Sequence, residues 1–178
     1  MYLHGRVFLF ILVSTYPLMK QKSNRSLTVK EATRSLENYC AYQERCHKEV
    51  HQKLIELKMI PEARDLIVSH LIKENYLNET RFSKVFTWSK FNQKKWGKRR
   101  LISEMKSRNI STYNIDIALN EISEEDYRNT FHELAEKRFL QLSGETNNKK
   151  KRKKLTDYLT YRGWEFDLVY QKMNELFN

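Results

Sequence analysis

Apolar residues in this chain recur at the spacing of a buried helical face. Phe166, Val169, Tyr170, Met173, Leu176 and Phe177 follow i, i+3, i+4, i+7, i+10 and i+11. Ala63, Leu66, Ile67, His70 and Leu71 follow i, i+3, i+4, i+7 and i+8. A helix of 3.6 residues per turn places each set on one side, whereas a half-buried strand would need strict alternation. Four Gly and two Pro in 178 residues leave little turn material for a sandwich or barrel. The fold class that follows is all-α, with long helices and short connections. Aromatic residues at 12% supply enough buriable surface to argue against global disorder.

Punctuation divides the pattern into helices. Thr28 with Glu31 has capping-box spacing and opens a first helix to about Ala41, with Ala32, Leu36 and Tyr39 inward. A second runs from about Arg45 to Leu57, with Val50, Leu54 and Leu57 aligned. Pro61 suits the first turn of a third. A helix from about Glu79 carries Phe82, Val85, Phe86 and Ser89. Gly97 interrupts before a short helix with Leu101, Ile102 and Met105, and Asn109 suits its left-handed end. Ser111 can cap the next, with Ile115, Ala118, Leu119 and Ile122 inward. Ser123 precedes Glu124, Glu125 and Asp126, carboxylates that complement the positive end of a helix dipole. That helix carries Tyr127, Phe131, Leu134 and Ala135. A polar, basic link from Ser143 to Lys154 leads to a helix with Leu155, Tyr158 and Leu159 that ends near Gly163.

These helices recur with a period of about 50 residues. Ile55, Met105 and Leu159 align, as do Met59, Asn109 and Gly163, and then Ile60, Ile110 and Trp164. Each set reads as an apolar last turn, a tight reversal and an apolar staple into the following helix. The reading is three tandem three-helix repeats, over 27–77, 78–122 and 123–178, preceded by an N-terminal extension over 1–26. Stacked in line, the units would bury their faces against one another.

Charge is concentrated. The formal net charge is +11. Lys94, Lys95, Lys98, Arg99 and Arg100 form one cluster, and Lys149, Lys150, Lys151, Arg152, Lys153 and Lys154 form another, neither with a carboxylate. Together they equal the whole surplus. The remaining 22 Lys and Arg balance the 22 Asp and Glu. Localised charge of this kind suits phosphate or an acidic protein surface; the plainer alternatives are solubility or a localisation tract. The clusters fall at equivalent junctions of the second and third repeats, which favours a periodic anionic partner.

The first residues are ambiguous. Val7 to Val13 is apolar but far shorter than the roughly 20 residues a membrane-spanning helix needs. It resembles a weak signal core without a convincing cleavage site. Met19 as the true start is the favoured reading, with a signal or anchor and a docked extension as alternatives.

Catalytic chemistry is not visible. No Gly-rich phosphate loop, nucleophile elbow or metalloprotease motif is present. Cys46, His47 and His51 are the best metal candidates, but Cys46 points away from the two His and no fourth ligand lies near, so no metal is expected. Cys40 and Cys46 do not share a helical face, so no disulfide is expected, and two Cys fit a reducing compartment. Among Trp88, Trp96 and Trp164, Trp96 is the candidate for exposed stacking and Trp164 for a core staple.

Four stretches carry a family resemblance: YCAYQERCHKEV (Tyr39 to Val50), NYLNETRF (Asn75 to Phe82), WGKRRLISEMKSRNI (Trp96 to Ile110) and YLTYRGWEFDLV (Tyr158 to Val169). In order and spacing, from about Leu27 to Phe177, they resemble the RecX family of bacterial RecA regulators. The resemblance implies three three-helix repeats in an elongated, curved crescent. It implies binding in the groove of the RecA–DNA filament, inhibition of strand exchange and damping of the SOS response, with no cofactor and no catalytic residue. Arg45, Glu49, Arg81, Phe82, Gly97 and Gly163 fall on family-motif positions. Met59 and Asn109 stand where Gly is usual, and Glu79 where Asp is usual, which bears on caps and turns. The expectation is a cytoplasmic monomer that contacts RecA and DNA phosphates through the two clusters. The competing readings are a helical nucleic-acid-binding protein with no RecA partner, and a membrane-associated or exported protein.

Overall fold

The computed structural model describes residues 27–177, and the readings on residues 1–26 lie outside them. The described residues form nine helices and no strand. They are α1 (Val29–Tyr42), α2 (His47–Glu56), α3 (Pro61–Lys73), α4 (Glu79–Lys94), α5 (Lys98–Lys106), α6 (Thr112–Leu119), α7 (Glu124–Gln141), α8 (Asn148–Tyr161) and α9 (Phe166–Phe177). Helix packing groups them in threes, and the groups follow one another in line.

The expected caps are present. Thr28 accepts the Glu31 amide N–H at 3.3 Å, and Glu31 accepts that of Thr28 at 2.9 Å. Ser111 and Ser123 accept the N–H of Asn114 and Asp126. Pro61 occupies the first turn of α3. Each such cap answers an orphan helix donor and stabilises by about 1 kcal/mol.

The repeat is real, but its register in the first unit is one residue away from the alignment read off the sequence. The carbonyls of Leu54, Met105 and Leu159 accept the amides of Met59, Ile110 and Trp164 at 3.1, 3.1 and 3.3 Å. Between them Lys58, Asn109 and Gly163 take the left-handed turn, with φ of 59°, 59° and 85°. Lys58, not Met59, is thus the equivalent of Gly163. A lysine hides the turn that Gly or Asn would have announced, and the exposed Ile55 and Ile60 imitate the buried pair beside them.

Several inward faces are rotated from expectation. On α4 the buried residues are Phe82, Ser83, Thr87 and Phe91, while Val85 is exposed. Helix α4 packs most extensively on α6. Ser83 donates to the Glu79 carbonyl at 2.7 Å and Thr87 to the Met105 sulfur at 3.6 Å, so neither hydroxyl is left unpaired. Leu66 of α3 is exposed. On α9 Val169, Lys172 and Met173 are buried, and Phe166 and Tyr170 face outward.

Two cores result. The first unit has its own, built on Leu36, Val50, Leu54, Ile67 and Leu71. The second and third units share one, built on Leu101, Met105, Phe131, Leu155, Leu159 and Trp164. Trp164 is fully buried, with ring centroids 4.7 Å from Tyr127 and 5.2 Å from Phe131, as the staple reading anticipated. Only Cys46 of the first unit joins the larger core. Cys40 and Cys46 are both free thiols, and burial pushes the Cys40 thiol up to about 11.

Candidate anionic-partner interface

The first basic cluster spans the α4–α5 corner. Lys94 ends α4, Lys95 adopts φ 53°, and Lys98, Arg99 and Arg100 form the first turn of α5 behind Gly97. The second is not in a link, as the sequence suggested. Asn147 caps α8 by accepting the Lys150 N–H at 3.0 Å, so Lys149 to Lys154 lie inside the helix. The apolar run that marks α8 starts only at Leu155, and the lysines before it read as linker when judged by hydropathy alone.

Lys98 to Arg100 and Lys149 to Lys151 thus occupy helix N-termini with no acidic residue in the first turn, whereas Lys94 and Lys95 close α4. The helix dipole disfavours cations there by roughly 0.3–1 kcal/mol each. Helix α7 shows the favourable arrangement, with Glu124, Glu125 and Asp126 in its first turn. A stability cost placed at the start of the second helix in two units is what an anion-binding role would require.

The structure sorts the eleven cations. Lys98 pairs with Glu124, Lys153 with Asp157 and Lys154 with Glu145. Arg152 donates to Asn174 at 2.7 Å. The Lys151 ammonium lies 3.7 Å from the Phe139 ring centroid. The Arg99 guanidinium lies 4.0 Å from that of Phe166, and Arg100 lies 4.2 and 4.6 Å from those of Trp96 and Tyr161. Arg100 also donates to the Tyr161 carbonyl at 3.1 Å. Among the described residues, Lys94, Lys95, Lys149 and Lys150 extend ammonium groups with no ion pair, hydrogen bond or ring contact. These four are the cations most open to a partner.

Of the family-motif positions, Arg81, Gly97 and Gly163 form joints between units, whereas Arg45 and Glu49 contact residues of their own unit. Arg81 of α4 reaches back to the first unit, donating to Glu44 at 2.6 Å, to the Asn75 side chain at 3.0 Å and to the Asn75 carbonyl at 2.9 Å. Phe82 is buried beside it. Arg45 lies over the Tyr39 ring at 4.0 Å, and Glu49 accepts the Cys46 N–H at 3.1 Å. Gly97 and Gly163 meet at the second joint, where the Gly97 N–H donates to the Arg162 carbonyl at 2.9 Å and the Arg99 N–H to that of Gly163 at 3.2 Å. Tyr127 accepts the Lys98 N–H at 2.8 Å and donates to Glu165 at 2.7 Å. Burial and the Glu165 carboxylate push its phenol upward in pKa.

The two joints share a plan. His47 follows the α2 cap and faces Glu79, the first residue of α4, at 3.6 Å. Lys98 follows the α5 cap and pairs with Glu124, the first residue of α7. Burial opposes ionisation of Glu79, but hydrogen bonds from the Ser111 N–H and the Asn114 and Ser111 side chains outweigh it and hold the carboxyl below the usual range. Cys46 and Asn109 stand where the second joint has Gly97 and Gly163. An open groove of about 510 Å³, lined by Lys48, Glu49, Lys53, Glu104 and Arg108, lies at the first joint.

Trp96, expected to be exposed for stacking, packs against Phe86 at 6.3 Å beneath Arg100. The exposed aromatic residues missed by the sequence reading include Tyr161, Phe166 and Tyr170, which lie beside the basic clusters. The polar Lys172 at a core spacing from Val169 was the available signal that the α9 face was rotated. Among the described residues no group of three His, Cys, Asp or Glu could hold a metal ion, and no helix is long and apolar enough to cross a membrane.

Comparison with known proteins gives one family throughout. Residues 78–119 match the model of the second three-helix domain of RecX, and residues 124–173 match that of the third, together a little over half the chain. The Regulatory protein RecX of Clostridioides difficile (strain 630) is 24% identical over 137 residues, covering 74% of this chain and 64% of the relative. That of Streptococcus uberis is 27% identical over 135 residues, covering 74% of this chain and 50% of the relative. The chain therefore matches less than two thirds of the length of these relatives. The crystal structure of RecX from Lactobacillus salivarius superposes with a TM-score of 0.70 at 22% identity, over 83% of this chain and 96% of that one. A second crystal structure, of regulatory protein RecX, gives 0.73 at 20% identity, over 83% and 73%.

Proposed function

The chain belongs to the RecX family, and on that premise we propose that it is a non-catalytic regulator that binds the RecA–DNA filament and mainly inhibits RecA recombinase activity. The observation that carries this reading is the pair of basic clusters at the starts of α5 and α8, the second helices of two consecutive units, each with a first turn that holds no carboxylate. A filament presents anionic groups at regular intervals, and a rigid tandem array answers with cations at regular intervals. Lys94, Lys95, Lys149 and Lys150 make the leading electrostatic contacts, because among the described residues their ammonium groups have no ion pair, hydrogen bond or ring contact. Each phosphate neutralised steepens the salt dependence of binding by about 0.9 in log–log slope.

The test is a RecA strand-exchange and ATPase assay with the wild-type chain and with Lys94→Glu/Lys95→Glu/Lys149→Glu/Lys150→Glu. The expected result is loss of inhibition with far-UV circular dichroism unchanged. Undiminished inhibition by this variant overturns the assignment. Equal wild-type affinity for bare DNA and for RecA filaments would support a stand-alone nucleic-acid binder instead.

A further inference from the structure

Next to the basic clusters lies a second surface feature of a different chemical kind. Tyr161 at the end of α8 and Phe166 and Tyr170 on α9 are 72%, 62% and 64% exposed. Single exposed aromatics are ordinary on protein surfaces. These three are organised. Phe166 and Tyr170 are one helical turn apart and line a cavity of about 240 Å³ with Val169, Met173, Thr156 and Arg152. The Arg99 guanidinium lies 4.0 Å from the Phe166 ring centroid. Tyr161 carries the Arg100 guanidinium at 4.6 Å. A strip therefore runs from α5 across the α8–α9 corner, in which each ring lies beside a guanidinium group.

We propose that this strip, Tyr161, Phe166 and Tyr170 flanked by Arg99, Arg100 and Arg152, is a stacking surface for unpaired bases of a single-stranded nucleic acid. Charge selects the occupant. Among the described residues, Arg99 and Arg152 have no carboxylate within 4.0 Å, and Arg100 has only Glu104 at 3.9 Å. An apolar protein side chain docked on these rings would bring no anion to the guanidinium groups beside them. A nucleotide supplies both missing partners, a flat π-face for the rings and a phosphate for the arginines. A duplex keeps its bases stacked on one another and cannot offer their faces. The four free lysines of the two clusters lie outside the strip, so their attraction for phosphate can be removed without touching the stacking rings. The inference goes beyond the RecA reading, since it concerns nucleic acid directly and rests on other side chains.

The experiment measures binding of the full chain to a 20-residue oligothymidylate and to an abasic strand of equal length and charge at matched salt. Stacking contributes a free energy per base that corresponds to roughly five- to hundredfold in affinity. The wild type is expected to prefer the base-bearing strand by at least about fivefold. Tyr161→Ala/Phe166→Ala/Tyr170→Ala should lose that preference while binding the abasic strand with unchanged affinity. Tyr161→Phe/Tyr170→Phe, which keeps the rings, should retain it. Equal wild-type affinity for both strands overturns the proposal, as does a preference that survives the triple alanine variant. A triple variant that binds oligothymidylate normally but no longer binds RecA filaments would identify the strip as a protein-docking surface and also overturn it. The four-lysine reversal separates the two readings. It should preserve the base preference, and undiminished RecA inhibition by that variant sinks the filament proposal alone.

Discussion

Gly97 and Gly163 lie backbone to backbone, one before α5 in the second unit and the other in the α8–α9 turn of the third. A Cβ on Gly97 would stand 2.7 Å from both the Gly163 carbonyl carbon and the Trp164 nitrogen. A Cβ on Gly163 would stand 2.8 Å from the Arg100 Cα, and Gly163 also has φ 85°. The contact leaves no flexible side chain to move aside. Gly97→Ala should therefore force the joint open and cost about 1–3 kcal/mol, the usual range for overpacking a tight interior. Urea denaturation followed by circular dichroism measures this directly. An unchanged midpoint would show that the joint yields freely.

The first joint lacks the glycine pair, and the first unit has a core of its own. It should open before the rest. Native-state hydrogen exchange is expected to show α1 to α3 losing protection at lower denaturant than α7 to α9, as a separate cooperative unit. Simultaneous loss across all nine helices would contradict this.

Glu79 links α4 to the α6 cap and to His47, and its folded carboxyl titrates below the ordinary value. Its contribution to stability is complete above the unfolded value of about 4.3 and is lost as the pH falls through the folded value. Glu79→Gln should lower stability at pH 7 and flatten the acid limb of the stability profile. A variant with the wild-type acid limb would assign that limb to other carboxylates.

Lys172 is 2% exposed and donates to Glu136 at 2.8 Å and to Glu175 at 2.7 Å. Burial lowers its pKa, but the two carboxylates outweigh burial and raise it. Its stabilisation is present below the unfolded value of about 10.4 and disappears as the pH rises through the folded one. K172M keeps the packing of the stem and removes the desolvated charge. Both carboxylates stay hydrated, so the loss of stability at pH 7 should be small, at most about 1 kcal/mol. The alkaline loss above about pH 10 should diminish. A large destabilisation at pH 7 would mean that the ion pairs hold α9 against α7.

The sequence by itself determined the helical class, the three-unit count, the caps at Thr28, Ser111 and Ser123, and the two cation clusters. These depend on local chemistry: a 3.6-residue period, a side-chain oxygen before a helix, a run of like charges. Tertiary structure alone decided which flank of each stripe turned inward. Periodicity defines a broad apolar arc, and the neighbouring helix chooses its centre. On α4, packing buried Ser83 and Thr87, whose hydroxyls find acceptors, and left Val85 outside. On α9, Lys172 could bury its stem because Glu136, on another helix, meets its ammonium group. That rotation left Phe166 and Tyr170 outside. The same long-range contacts separated four free lysines from seven engaged cations, because a charge is freed or neutralised by groups that only folding brings near it.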